Sequence, residues 1–274
     1  MDIKKLYTYT DGKQLWRLLI NENDNLIIET RDVENREVFF NCIDINTGEA
    51  IFEQFQHEEK YWVGIEALTA DKIIFHRFAK PDMPGHKDII VFDIESQKVL
   101  WQTDEYSFLF VYKDKIYCFR QKFEGRDFYV LDINTGDLIE EPENDYMKIN
   151  MLKNEAENAV DYSVYKFPEV YNADMIKNQS LKNIVHKYTL GSDIEGNIEY
   201  VAYGDLLMFN FHSRTEGNGI INKFICADIE SGVEVFSEIL NLKLNAFVPD
   251  SFFVYKNLLI LLKEKDSVIV CKLS

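Results

Sequence analysis

Apolar and polar positions alternate in short runs along most of this chain, and polar turns separate the runs. Segments such as Val38-Phe-Phe-Asn-Cys-Ile43 and Ile89-Ile-Val-Phe92 are rich in β-branched and aromatic residues, which suit a pleated, half-buried surface and predict strands. One nine-residue stretch returns between such runs. It reads Asp44-Ile-Asn-Thr-Gly-Glu-Ala-Ile-Phe52, then Asp93-Ile-Glu-Ser-Gln-Lys-Val-Leu-Trp101, then Asp132-Ile-Asn-Thr-Gly-Asp-Leu-Ile-Glu140, then Asp228-Ile-Glu-Ser-Gly-Val-Glu-Val-Phe236. Each copy predicts strand, tight turn, strand. The Asp side chain can bond backbone two residues on, and the Gly takes a positive φ at little cost. Gln97 replaces that Gly in the second copy, which predicts a turn that is slightly strained or differently shaped.

The copies lie 93−44 = 49, 132−93 = 39 and 228−132 = 96 residues apart. The last gap is twice 48, which predicts one degenerate copy inside it. Periods of this size with four strands per unit predict propeller blades. The expected fold is therefore all-β, a single β-propeller domain over residues 1–274 with six four-stranded blades, five or seven being the alternatives. Strands are expected at 15–20, 26–31, 37–45 and 49–55; at 61–68, 72–78, 88–94 and 99–103; at 107–112, 116–121, 127–133 and 138–140; and at 198–203, 206–212, 220–229 and 233–237. The run 251–255, 258–263, 267–273 lacks a fourth strand, and 6–10 lacks a partner, so the N-terminal strand is expected to close the C-terminal blade. Residues 147–195 carry the degenerate blade. It has a short helix at 151–160, a strand at 162–171 demoted by Pro168, and an outer strand at 184–190.

Charge narrows the partners. Thirty basic residues against 47 acidic ones give −17, which argues against nucleic acid and against an anionic membrane surface, since both require clustered cations. Cys42, Cys118, Cys226 and Cys271 sit in apolar strand patterns without a C-x-x-C pair, the usage of reduced buried thiols. No apolar leader follows Met1, and the most apolar stretch, 252–262, is too short to span a bilayer. A cytoplasmic location is expected.

Candidate chemistry lies at the ends of the second strands. Arg31, Arg77, Arg120, His212 and Lys263 recur there within about one residue of the same depth. Such a ring of charge would fit a small anionic ligand or an acidic segment of a protein partner. The plainer reading pairs each cation with a local carboxylate. The segment 78–88 reads as the longest loop of this face, with His76, Lys80, Asp82, His86 and Lys87 in or beside it, and Glu66 stands beside Gly64 on a first strand. No Walker loop, G-x-S-x-G, H-E-x-x-H or G-x-G-x-x-G occurs. Two histidines without a third ligand make no metal site, so neither metal nor cofactor is expected. The expectation is a binding or scaffolding module. The alternative is an enzyme for a small anionic substrate, with Glu66 or His86 as acid/base.

The four Asp-Ile-x-Thr/Ser-Gly repeats resemble those of quinoprotein-type propellers. That resemblance implies a propeller fold. It would also imply a periplasmic location, a quinone with Ca²⁺ and often a vicinal disulfide. This chain has no adjacent cysteines, no leader and too few blades, so the resemblance carries the fold and not the activity. The segments Leu15-Trp-Arg-Leu18, Glu29-Thr-Arg-Asp32 and Phe75-His-Arg-Phe-Ala-Lys-Pro-Asp-Met-Pro-Gly-His86 resemble an uncharacterised bacterial family, which implies no role for any residue.

Overall fold

The repeated turn builds the architecture. In the third copy the Asp132 carboxylate accepts from Asn134 N and Thr135 N. In the fourth, Asp228 accepts from Ser231 N and Ser231 Oγ. The turn glycines Gly48, Gly136 and Gly232 have φ of 77°, 76° and 64°. Gln97 is forced to φ 57°, strained for a residue with a Cβ, and its side chain donates to Ile51 O at 2.9 Å. The Ile after each Asp makes a second recurrent contact. Ile45, Ile94, Ile133 and Ile229 donate their backbone N–H to the carbonyls of Asp24, Asp71, Asp114 and Asp205, at 2.8–3.2 Å. Each repeat thus ties its third-strand end to the turn before its second strand.

The computed structural model describes residues 2–80, 83–142, 144–215, 217 and 219–274. The chain opens with β1 (Ile3–Thr10), β2 (Gln14–Ile20), β3 (Asn25–Asp32), β4 (Glu37–Asp44) and β5 (Ala50–Phe55). Next come β6 (Val63–Leu68), β7 (Lys72–Lys80), β8 (Met83–Asp93) and β9 (Lys98–Thr103). After them run β10 (Ser107–Tyr112), β11 (Lys115–Lys122), β12 (Gly125–Asp132) and β13 (Leu138–Glu140). The middle holds α1 (Tyr146–Ala159), a 3-10 turn at Tyr162–Val164, β14 (Tyr165–Lys166), β15 (Glu169–Val170) and α2 (Gln179–Thr189). The remainder is β16 (Glu199–Tyr203), β17 (Leu206–Arg214), β18 (Ile220–Asp228), β19 (Glu234–Leu244), β20 (Phe252–Tyr255), β21 (Leu258–Lys263) and β22 (Ser267–Leu273).

Among the described residues these strands form five antiparallel sheets, where the repeat arithmetic expects six. Two compact units divide them. One comprises Lys13–Ile45 and Glu49–Asp161 and holds the sheets β2-β3-β4-β5, β6-β7-β8-β9 and β10-β11-β12-β13. One of its cores joins Ile27, Phe40, Cys42, Val63, Ile65, Phe75 and Phe92. Helix α1 packs Ile149 against Phe110, Tyr117 and Phe128.

The other unit comprises Met1–Gly12, Asn46–Gly48 and Tyr162–Ser274. Its sheets run β1-β22-β21-β20-β14 and β15-β16-β17-β18-β19. Strand β1 pairs with β22 from Ile3↔Leu273 to Thr10↔Ser267, and Asp2 N donates to Ser274 O at 2.7 Å. The N-terminal strand therefore joins the C-terminal sheet, as the pattern requires.

Three expectations are corrected. The outer strand at 184–190 is instead helix α2. Asn178 caps it by accepting from Ser180 N at 2.9 Å, and Leu181, Ile184 and Val185 recur at helical spacing to face Leu207, Phe209, Phe211 and Ile225. The strand at 162–171 is broken in two around Pro168. Proline lacks the ladder N–H, so β14 and β15 each contribute two residues to different sheets. The segment 78–88 is not a loop but most of a hairpin, since β7 runs on to Lys80 and β8 starts at Met83.

All four cysteines are free and buried. Burial pushes the thiols of Cys42, Cys118 and Cys226 up to about 12 and that of Cys271 to about 11, so none is a thiolate at neutral pH. No helix among the described residues is long and apolar enough to cross a membrane.

Candidate functional site

Two irregularities in the sheet β6-β7-β8-β9 create the site. The β6–β7 register shifts between Ile65↔Phe75 and Ala67↔Ile74, leaving Glu66 as an extra residue. Bulges bend a strand and re-aim the side chain at the bulge. Bulges also occur at Trp16 in β2 and at Leu109 in β10, whereas β16–β17 and β20–β21 pair without shift, and of these three bulges that in β6 carries the carboxylate. The second irregularity has no counterpart at the same junction among the described residues. The β7–β8 register shifts between Phe75↔Ile90 and Arg77↔Lys87, and Asp88 takes φ 64°. The corresponding pairs β3–β4, β11–β12, β17–β18 and β21–β22 run without shift.

Together these bulges bring Glu66, His76 and His86 to one place. His86 Nδ1 and Glu66 Oε2 are 2.7 Å apart. The His86 ring lies on that of His76, with centroids 3.5 Å apart and planes 16° from parallel. Phe78 closes the edge of both rings, at 4.9 and 5.6 Å. Gly64 faces His76, and a Cβ there would come within 3.0 Å of His76 Nε2. Its backbone does not need glycine, so the residue serves to make room for the ring. One ligand atom from each of the three residues fits within 4.8 Å of the others.

The three groups differ in exposure. His76 is 3% exposed, and its Nδ1 is buried without a hydrogen bond among the described residues. Burial, and then the nearby charge of His86, hold its imidazole down at about 4. It is neutral at physiological pH. The His86 side chain is 44% exposed and that of Glu66 18%. The arrangement is an open imidazole–carboxylate pair seated on a buried neutral imidazole.

The sequence-derived cations are placed differently. Arg31 is buried and donates to Glu29 Oε1 from Nε at 2.9 Å and from Nη2 at 2.6 Å. Its guanidinium lies 4.5 Å from the Trp16 ring. Burial raises the Glu29 carboxyl despite this partner. Arg77 donates to Asp88 Oδ2 at 3.0 Å. Arg120 pairs with Glu105 and lies 4.6 Å from the Tyr106 ring. Lys263 donates to Glu238 at 2.6 Å. His212 is fully buried beside Phe247 and accepts from Val248 N at 3.4 Å. Counted from the repeat's Asp partner in β3, β7 and β11, Arg77 and Arg120 share one depth while Arg31 stands one residue further. One residue along a strand reverses the face. Of the hairpin residues, Asp82 lies outside the described residues, as does the Lys80 side chain.

His57 belongs to no motif. It is 7% exposed and boxed edge-on by Phe40, Phe55 and Phe75, with centroids 4.7–6.3 Å away. Burial, then the charge of Arg77, holds it at about 4. Only the tertiary contacts reveal it, because no spacing marks it.

The class that emerges is a mostly β protein of repeated four-stranded antiparallel sheets. A family described as a domain of unknown function (DUF4905) matches residues 20–101, which contain the cluster and two of the three segments quoted above. No curated protein matches the chain. Among solved structures, it is similar to a eukaryotic initiation factor at 9% identity and a TM-score of 0.35, covering 89% of this chain and 57% of that one. It is also similar to the β-propeller domain of the Trilobed protease from Pyrococcus furiosus, at 12% identity and a TM-score of 0.33, covering 92% and 63%. The tricorn protease shows 9% identity and a TM-score of 0.31, over 93% and 29%. The chain thus spans less than two thirds of each.

Proposed function

We propose that this chain is a β-propeller-type binding module whose ligand site is the Glu66, His76 and His86 cluster. Four nine-residue repeats, three within four-stranded sheets and the fourth joining β18 to β19 of a five-stranded sheet, support the blades, and the β1–β22 pairing supports closure through the last blade. One observation carries the site. The only shifted junction between a second and a third strand among the described residues is the one that delivers the two histidines beside the bulged carboxylate. The matching positions of the next sheet are Leu109 and Phe119, which are apolar and pack into the core. In the preceding sheet the position matching His76 is the buried Glu29, which Arg31 engages, so the cluster differs from both neighbours in joining a carboxylate to two imidazoles.

The proposed surface is narrower than a ring of cations. Arg77, held by Asp88, borders the cluster. Arg31, Arg120 and His212 are engaged elsewhere, with Glu29 and Val63 O, with Glu105, and with Val248 N. A second reading is proton transfer on a small anionic substrate, favoured by the 2.7 Å contact that orients His86. A thermal-shift panel of small anionic metabolites and divalent metals tests the site. A ligand at 100 times its Kd adds about 2.7 kcal/mol, and the shift should vanish in Glu66→Ala/His86→Ala. Ligands that shift both proteins equally would remove the cluster from consideration. Turnover of a panel compound, lost in His86→Gln, would favour the second reading.

A further inference from the structure

We propose that Glu66, His76 and His86 bind one divalent transition-metal ion through both imidazoles and one Glu66 oxygen. This rests on the reading of the cluster as the ligand site and names the ligand. Two histidines and a carboxylate are a donor set of zinc and related borderline ions, with a fourth position left for water or a ligand. Mg²⁺ and Ca²⁺ prefer oxygen donors. All three donors already lie within 4.8 Å of one another, and donors on one tetrahedral Zn²⁺ stand about 3.4 Å apart, given Zn–N and Zn–O lengths near 2.1 Å.

The local chain has the features such a site needs. His76 is held by burial and by the space at Gly64, so one ligand is preorganised. Its Nδ1 is a buried nitrogen with no hydrogen bond among the described residues, an atom that a bound ion can engage. Glu66 comes from a bulge of β6 and His86 from the irregular β8, so three successive strands contribute one donor each. The stacked rings cannot aim at one ion as they stand, because an ion binds in the plane of each imidazole. The half-exposed His86 turns about its side-chain torsions, leaves the stack and widens its 2.7 Å contact with Glu66. Metal replaces the proton between those two groups, and His76 does not move.

Titration calorimetry of the full chain, stripped with chelator and desalted, should show one equivalent of Zn²⁺ bound at micromolar affinity or tighter. Binding should weaken by roughly tenfold or more in His86→Ala and in Glu66→Gln. The exposed His186→Ala is the control and should bind as wild type. Co²⁺ should give a visible absorption band, lost in His86→Ala, that reports nitrogen donors directly. Both substitutions are at accessible side chains, and circular dichroism checks their folding. Equal binding of Mg²⁺ or Ca²⁺, or Zn²⁺ binding unchanged in both variants, overturns the proposal. No Zn²⁺ heat while a panel anion still stabilises wild type, but not Glu66→Ala/His86→Ala, overturns the metal and leaves the ligand site standing. Loss of both overturns both.

Discussion

Arg31 and Glu29 show what a charged residue costs when a sheet buries it. Their side chains are 6% and 2% exposed, and burial raises the Glu29 carboxyl although Arg31 pulls it down. Removing one partner leaves the other uncompensated. Arg31→Met should therefore destabilise by about 3–5 kcal/mol, read from the urea midpoint at pH 7. Glu29→Gln/Arg31→Met should be milder than the single change, a non-additivity that identifies the pair as coupled. His57 carries a different liability. Its folded value is about 4 against about 6.5 when unfolded. Below pH 6.5 the unfolded chain takes up a proton that the folded chain refuses until about pH 4. Stability attributable to His57 is thus complete above pH 6.5 and falls as the pH drops through that window. By pH 4.5 the loss is roughly 2–3 kcal/mol. Comparing wild type with His57→Phe by urea unfolding at pH 7 and 4.5 isolates it, and equal pH slopes would reject the assignment. Neither residue was legible as such in the sequence. Arg31 is visible as a recurrent cation, but its pairing with Glu29, two positions back on the same strand face, is set by the folded strand.

At the scale of elements, local chemistry and tertiary contact divide the outcome. The Asp-Ile-x-Thr/Ser-Gly turns were legible because their hydrogen bonds are local, and the strain expected at Gln97 is present as φ 57°. Helix α2 was misread because Ile184 and Val185 suit strands, while the Asn178 cap and the spacing back to Leu181 favour a helix once Phe209 and Ile225 offer a surface. Pro168 was correctly seen as a ladder breaker, yet that each half would join a different sheet depends on partners distant in sequence. Strand β1 makes a test at this scale. It covers the edge of β22 over seven register pairs. Deleting residues 1–12 should lower the melting temperature by several degrees and promote aggregation, because an uncovered strand edge is a template for pairing. Unchanged melting and light scattering would mean that β1 contributes nothing to stability.

At the scale of the whole molecule, periodicity and register answer different questions. The period of the repeats, the turn chemistry and the four-strand unit were set by the sequence alone, because they depend on contacts a few residues apart and on alternation with period two. The number of sheets was not, because residues 147–195 form helices and two-residue strands where arithmetic expects a blade. The candidate site was half legible. His76 and His86 were legible together, flanking the segment 78–88, and Glu66 apart from them on a first strand, so a metal lacked its third ligand. What joined them was a register shift between β7 and β8 and a bulge in β6. A shift of one residue reverses which face a side chain takes, and no pattern within a single strand records how its neighbour is aligned. That alignment is decided only when the strands pair.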